Sequence, residues 1–276
     1  SVVKLLGGGL RYEAYLAWEE RLRSLVVVKV LRPGLVDDRG ALAGLRREMK
    51  LLEQLNHPVV VRAFDAQLDG PRPHIVLEHL EGPRLSSLRR KYGPLLPEQL
   101  TSLGIEICAA VHYLSSRDLV HLDIKPSNII MGGPPRLIDL SVARTVPECA
   151  RLASPVGTDA YMAPEQAQPG STTPIGPPAD VWGLGASLYE GLTGQRPFPK
   201  GDRRSGVPAV RFPQLTSAPR ALPPNVPRAL ADPIMASLAH DPAGRPTPAE
   251  LGDRLQGTLD RLPKPRLANL KPRIRR

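Results

Sequence analysis

The chain has 276 residues and a formal charge of +10; 41% of its residues are hydrophobic but only 4% are Phe, Trp or Tyr. That length and apolar content support one large domain, or two lobes around a cleft, and make a folded chain rather than a disordered one the expectation. The basic balance comes from 29 Arg and 8 Lys scattered along the sequence, with no aromatic-interleaved basic patch and no zinc-ligand spacing, so nucleic-acid binding is not expected.

Leu16-Ala17 and Leu25 to Val28 are short apolar runs flanked by charge, so residues 1–30 read as strand, turn, strand, strand. Leu42, Leu45, Met49, Leu52 and Leu55 recur at helical spacing, which predicts a helix over 40–55 ended by Asn56-His57-Pro58. Val59-Val60-Val61 and Ile75-Val76-Leu77 predict two more strands. The character changes after Glu81-Gly82-Pro83. A long apolar period over 97–117 opens on Pro97-Glu98 and predicts a helix. A second, from Asp180 to about Leu192, is apolar nearly all round and is expected to be buried. The Pro-rich stretch 194–228 reads as loop, helical patterns return at 229–239 and 248–262, and the tail 263–276 is basic and expected to be flexible. No internal repeat is present. The expected fold class is α+β. A small β-rich lobe with one main helix spans 1–80, and a larger, mainly helical lobe spans 81–262.

The segment His121-Leu122-Asp123-Ile124-Lys125-Pro126-Ser127-Asn128 places a carboxylate, an ammonium and an amide within six residues. Phosphoryl transfer needs a base to orient the attacking hydroxyl, a cation on the moving group and a magnesium ligand. Asp123, Lys125 and Asn128 match these needs in order; a turn with incidental charges is the alternative. Asp139 ends the apolar run Leu137-Ile138, a common place for a second magnesium ligand. Further motifs follow: Gly157-Thr158-Asp159-Ala160-Tyr161-Met162-Ala163-Pro164-Glu165, then Asp180-Val181-Trp182-Gly183-Leu184-Gly185, then Asp241-Pro242-Ala243-Gly244-Arg245-Pro246.

In this order and spacing the motifs resemble the eukaryotic-like bacterial serine/threonine protein kinases, from Gly7 to about Leu262. The resemblance implies transfer of the ATP γ-phosphoryl group to Ser or Thr hydroxyls of a protein substrate. The metal would be magnesium, with manganese as an alternative. It assigns catalytic roles to Asp123, Lys125, Lys29 and Glu48, and metal binding to Asn128 and Asp139. Gly7, Gly9, Ala14, Val27, Lys29, Leu77, Glu78, Leu80 and Ile130 would surround the nucleotide, with the backbone of Glu78 and Leu80 at the adenine edge. It makes Glu165 and Arg245 a buried bracing pair, and Asp180 a tether for the catalytic loop. Lys125 and Thr158 imply serine or threonine rather than tyrosine as acceptor.

Three departures from the family pattern stand out. Tyr12 occupies the place of the third glycine in Leu6-Gly7-Gly8-Gly9-Leu10-Arg11-Tyr12, where a side chain is expected to hinder the approach of phosphate to backbone. Ala14 and Val27 exchange the family's Val and Ala, a swap expected to conserve volume over the adenine. Leu122 replaces the Arg that reads an activation-segment phosphate, so dependence on that phosphate is expected to be weak; Leu140-Ser141 replace Phe-Gly, which is expected to stiffen that turn. A pseudokinase serving as an ATP-binding or scaffold module is the alternative. Cys108 and Cys149 form no disulfide or metal pattern. No apolar run reaches the roughly 18 residues of a membrane span. A cytoplasmic setting is therefore expected, although a longer parent protein could carry an anchor.

Overall fold

A computed structural model describes residues 1–262; the basic tail expected over 263–276 lies outside the described residues. Five short strands, β1 (Val2–Gly8), β2 (Tyr12–Glu19), β3 (Ser24–Leu31), β4 (Ala63–Gln67) and β5 (His74–Glu78), form one antiparallel sheet in the order β1-β2-β3-β5-β4. The register sets Ala14 opposite Lys29, Lys29 opposite Ile75 and Val27 opposite Leu77. Opposed and alternate residues share a face of a sheet, so these five side chains line one surface. Helix α1 (Arg39–Gln54) packs there with Ala41, Leu45, Glu48 and Leu52, a stripe at steps of four, three and four. Its start is fixed by Asp38, whose carboxylate accepts from the Ala41 N–H at 2.6 Å.

The strand expected at Val59–Val61 is not part of this sheet, because pairing begins at Ala63. The three valines are buried for another reason. The Leu137 N–H donates to the Val59 carbonyl at 2.6 Å, and the Val61 N–H to the Leu137 carbonyl at 3.0 Å. An apolar run shielded on both sides carries the same sequence signal whether its partner is a strand or one residue.

The rest is helical around small ribbons. Helix α2 (Leu85–Tyr92), absent from the sequence reading, follows the hinge, and α3 (Pro97–Ser115) follows it. Ribbon β6 (Leu119–Val120) pairs with β9 (Arg144–Thr145), and β7 (Ile129–Ile130) with β8 (Arg136–Leu137). Short helices α4 (Val146–Cys149) and α5 (Pro164–Ala167) lead to α6 (Pro178–Thr193), which is buried nearly all round as its pattern predicts. The stretch 194–228 is mostly irregular but contains α7 (Pro208–Arg211) and a 3-10 turn at Pro213–Leu215. Helices α8 (Arg228–Ser237) and α9 (Pro248–Leu259) close the chain's described part.

Two local devices fit these helices together. Gly104 of α3 lets α9 approach, since a Cβ there would meet Leu255 Cδ1 at 2.7 Å. Pro233 inside α8 has no N–H for the Ala229 carbonyl four residues back. The Thr258 hydroxyl on α9 lies 2.7 Å from that carbonyl and shares its one proton between it and the Arg254 carbonyl at 2.9 Å. No helix among the described residues is long and apolar enough to cross a membrane.

Candidate active site

Lys29 sits on β3 facing α1, and Glu48 points back from the buried side of that helix. The Lys29 ammonium donates to both Glu48 carboxylate oxygens at 2.8 Å and to Asp139 Oδ1 at 2.7 Å. Three segments far apart in sequence thus meet on one cation. Burial works against the Lys29 charge, but Glu48 and then Asp139 outweigh it and hold the ammonium above the usual lysine range. Burial also opposes the Asp139 charge, yet Lys29, both as a charge and as a donor, holds that carboxyl well below the usual range. Burial pushes the Glu48 carboxyl up, with Lys29 opposing the rise. A solvated helix face for Glu48 is excluded, because it is 1% exposed.

The second cluster surrounds Asp123. Its Oδ1 accepts from the Thr158 hydroxyl at 2.7 Å, and its Oδ2 from Lys125 at 2.6 Å and Asn128 at 3.1 Å. Lys125 also donates to Thr158 Oγ1 at 2.7 Å. The loop that presents these groups is held from below. Asp180 on α6 accepts from the backbone N–H of His121 at 2.7 Å and of Leu122 at 2.8 Å. Burial pushes the Asp180 carboxyl up, and His121 together with these two N–H groups opposes the rise. Gln166 donates to the Leu122 carbonyl at 2.9 Å. Gly157, at φ +121°, passes so close that a Cβ would sit 2.5 Å from that same carbonyl. The segment 157–166 is therefore locked to the backbone of the loop that carries Asp123.

The glycine turn lies above. Gly7 adopts φ +145°, open to glycine alone, and the Gly9 N–H closes a tight turn on the Tyr12 carbonyl at 2.9 Å. Tyr12 does not stand free in the cleft. Its ring lies over the Lys29 ammonium, 4.7 Å from centroid to nitrogen, and its hydroxyl donates to the Ala41 carbonyl of α1 at 3.4 Å. Ala14, Val27 and Leu77 share the sheet face that carries Lys29. The Glu78 N–H is already spent on the Arg62 carbonyl, while Leu80 lies beyond the end of β5, with its backbone outside the ladder. Ile130 is on β7, bridged to Arg84 just after the hinge.

Asn128 commits its amide hydrogens to the Asp123 carbonyl at 2.9 Å and carboxylate at 3.1 Å, which leaves the lone pairs of its Oδ1 to ligate a metal. Asp139 accepts from Lys29 and the Ser141 N–H on Oδ1, which leaves Oδ2 without a protein partner among the described residues. Two hard oxygen donors therefore remain at the site, a set that fits magnesium or manganese and not a soft metal.

The protein kinase domain family matches residues 1–254. The chain belongs to that family. Kinases of this family use ATP with a divalent metal ion. The chain is similar to the serine/threonine-protein kinase PknB of Mycobacterium leprae, 34% identical over 203 residues, 70% of this chain and 32% of that protein. It is 29% identical to PrkC of Bacillus subtilis over 254 residues, 91% of this chain and 39% of that kinase. A probable serine/threonine-protein kinase of Streptomyces coelicolor, SCO3848, is 32% identical over 248 residues, 86% and 36% of the two chains. The chain therefore spans about a third of the length of the kinases it matches.

Some residues that shape this site were not legible as such. Arg211 donates to the Asp159 carboxylate at 3.0 and 3.3 Å, and Gln214 to the carbonyls of Asp159 at 2.8 Å and Met162 at 3.0 Å. Both come from the Pro-rich stretch read as loop. Their sequence signal is only a polar residue beside an apolar one, common on any surface. Arg32 donates to the Gly9 carbonyl at 2.8 Å and pairs with Glu13 at 2.9 Å. The only hint of this in sequence is its place three residues after Lys29.

Proposed function

We propose that this chain transfers the γ-phosphoryl group of ATP to Ser or Thr hydroxyls of proteins. The observation that carries the reading is the ammonium of Lys29 held between Glu48 and Asp139, with the Ile138 N–H beside Asp139 bonded at 2.9 Å to the carbonyl of Asn128 in the Asp123 cluster. The two lobes would be 1–80 and 81–262, with the nucleotide between them. Gly7, Gly9, Ala14, Val27, Leu77, Ile130 and the backbone of Glu78 and Leu80 would enclose it.

In this reading Asp123 accepts the proton of the substrate hydroxyl as its oxygen bonds to the γ-phosphorus. The bond from that phosphorus to the bridging oxygen breaks, and ADP leaves. Lys29 and Lys125 balance the charge on the phosphates, and Glu48 keeps Lys29 in place. Asn128 and Asp139 would hold magnesium, which, when bound, neutralises charge on the phosphate oxygens. Most of the rate would come from positioning and from charges fixed in advance. Thr158, hydrogen-bonded to both Asp123 and Lys125, favours an aliphatic hydroxyl as acceptor.

Weak dependence on an activation-segment phosphate belongs to the same reading. Leu122 is buried and apolar, so no cation stands there to read such a phosphate. Glu148 already presents a carboxylate to Arg47 of α1, at 4.0 Å. A non-transferring, nucleotide-binding module is favoured by one observation, the Tyr12 ring over Lys29. Transfer of labelled γ-phosphate to a generic protein, with Asp123→Asn as control, tests the proposal. Label incorporation that Asp123→Asn abolishes is expected; ATP binding without any incorporation would leave the second reading in place.

A further inference from the structure

We propose that Tyr12 is a positioning residue, a strut that braces the glycine turn against α1 and keeps the Lys29–Glu48 pair aligned. A residue at this place shares a sheet face with Ala14, two positions on, so its side chain must enter the cleft. The structure turns that intrusion sideways. The phenol reaches the Ala41 carbonyl of α1 at 3.4 Å, while the ring covers the Lys29 ammonium at 4.7 Å.

Two independent features show that the surroundings are shaped for it. Gly44 is a buried glycine in the interior of α1, where glycine disfavours a helix relative to alanine. A Cβ at Gly44 would lie 3.3 Å from the Tyr12 hydroxyl oxygen, so the glycine leaves room for the phenol. On the outer side the same turn is fastened to β3. Arg32 donates its side-chain Nε to the Gly9 carbonyl at 2.8 Å and its backbone N–H to the Arg11 carbonyl at 2.9 Å. A turn held on one side by Arg32 and on the other by Tyr12 is tied both to the sheet and to the helix that carries Glu48. Burial raises the phenol above its ordinary range, so the hydroxyl stays a donor through neutral pH.

The kinetic arm of the test rests on the kinase reading, and the exchange arm does not. The whole chain is compared as wild type, Tyr12→Phe and Tyr12→Gly. Hydrogen exchange is read at the α1 amides without nucleotide, and steady-state kinetics with ATP and a generic protein. Tyr12→Gly is expected to speed α1 exchange about tenfold and lower kcat about tenfold, with KM for ATP within about twofold. Tyr12→Phe, which keeps the ring and loses the hydroxyl, is expected to fall between, and it carries the test if the glycine variant does not fold. Unchanged α1 exchange overturns the strut. So does a Tyr12→Gly enzyme with full kcat and a lower KM for ATP, since the ring would then be only an obstacle to phosphate. If the wild type transfers no phosphate, the kinase reading falls and the exchange result alone decides the strut.

Discussion

Replacing Glu165 with Gln is expected to unfold this protein at a much lower temperature while leaving the cleft untouched. Glu165 and Arg245 have side chains 1% and 0% exposed. Arg245 has five N–H groups, and each has an acceptor. Nη1 donates to Glu165 at 2.6 Å and to the Pro178 carbonyl at 3.0 Å. Nη2 donates to Glu165 at 2.9 Å and the His240 carbonyl at 3.0 Å, and Nε to the Ala239 carbonyl at 2.8 Å. The guanidinium also lies 4.9 Å from the Trp182 ring centroid. Gln keeps the volume but removes the only negative charge in this set. Breaking a buried pair from one side costs about 3–5 kcal/mol, because the remaining charge cannot reach water. At about 2–4 °C per kcal/mol for a domain of this size, the midpoint should drop by about 6–20 °C. Thermal unfolding followed by circular dichroism reads this directly. The double variant Glu165→Leu with Arg245→Met removes both charges and should recover much of the loss. A Glu165→Gln midpoint within about 2 °C of wild type would refute the claim that this pair is dry and mutually dependent.

Four further outcomes are expected. Ala14→Val adds volume on the face that carries Lys29 and Val27, so ATP affinity should fall, and adding Val27→Ala should restore it; tighter binding by titration calorimetry would oppose the swap. Replacing Thr145 and Ser154 together with Ala should leave most transfer activity, and its loss in a folded double variant would contradict phosphate independence. Thr158 is excluded from that test because its hydroxyl bonds Asp123 and Lys125. Burial pushes the Cys108 thiol up to about 12, and burial followed by the Asp180 charge pushes Cys149 up to about 11. At pH 8 the thiolate fraction is then about one in a thousand or less, so iodoacetamide should label neither until the chain unfolds. Thr258→Val should cost about 1–3 kcal/mol, because the Ala229 carbonyl beside Pro233 loses its donor; an unchanged denaturant midpoint would argue that water replaces it.

Much of this architecture is visible in the sequence where periodicity is long. The α1 stripe, the all-round apolar α6 and the α9 pattern are set by residues that face a core over three or more turns. Helix α2 is not visible, because it has only Leu85, Leu88 and the exposed Tyr92 as apolar positions among polar and basic neighbours. It is held instead by contacts such as Arg89 to Glu190 at 2.9 Å. Val59–Val61 misleads because burial, not ladder pairing, makes a run apolar. That Asp123, Lys125 and Asn128 converge could be read in advance, because their spacing along one loop is what phosphoryl transfer would require. The direction of Tyr12 was not legible, since nothing in the sequence of the glycine turn says whether an aromatic ring blocks the cleft or lies along its wall. That answer came from Gly44, thirty-two positions away.

The tether from Asp180 has a bearing on how this protein would fail when heated. Many enzymes lose function first, when a surface loop frays, and lose their core later. Here the backbone of His121 and Leu122 hangs from a carboxylate embedded in a helix buried nearly all round. The segment that carries Asp123 is thus tied directly to the interior. Warming should therefore leave catalytic competence intact until the interior itself gives way, and both should disappear over the same few degrees.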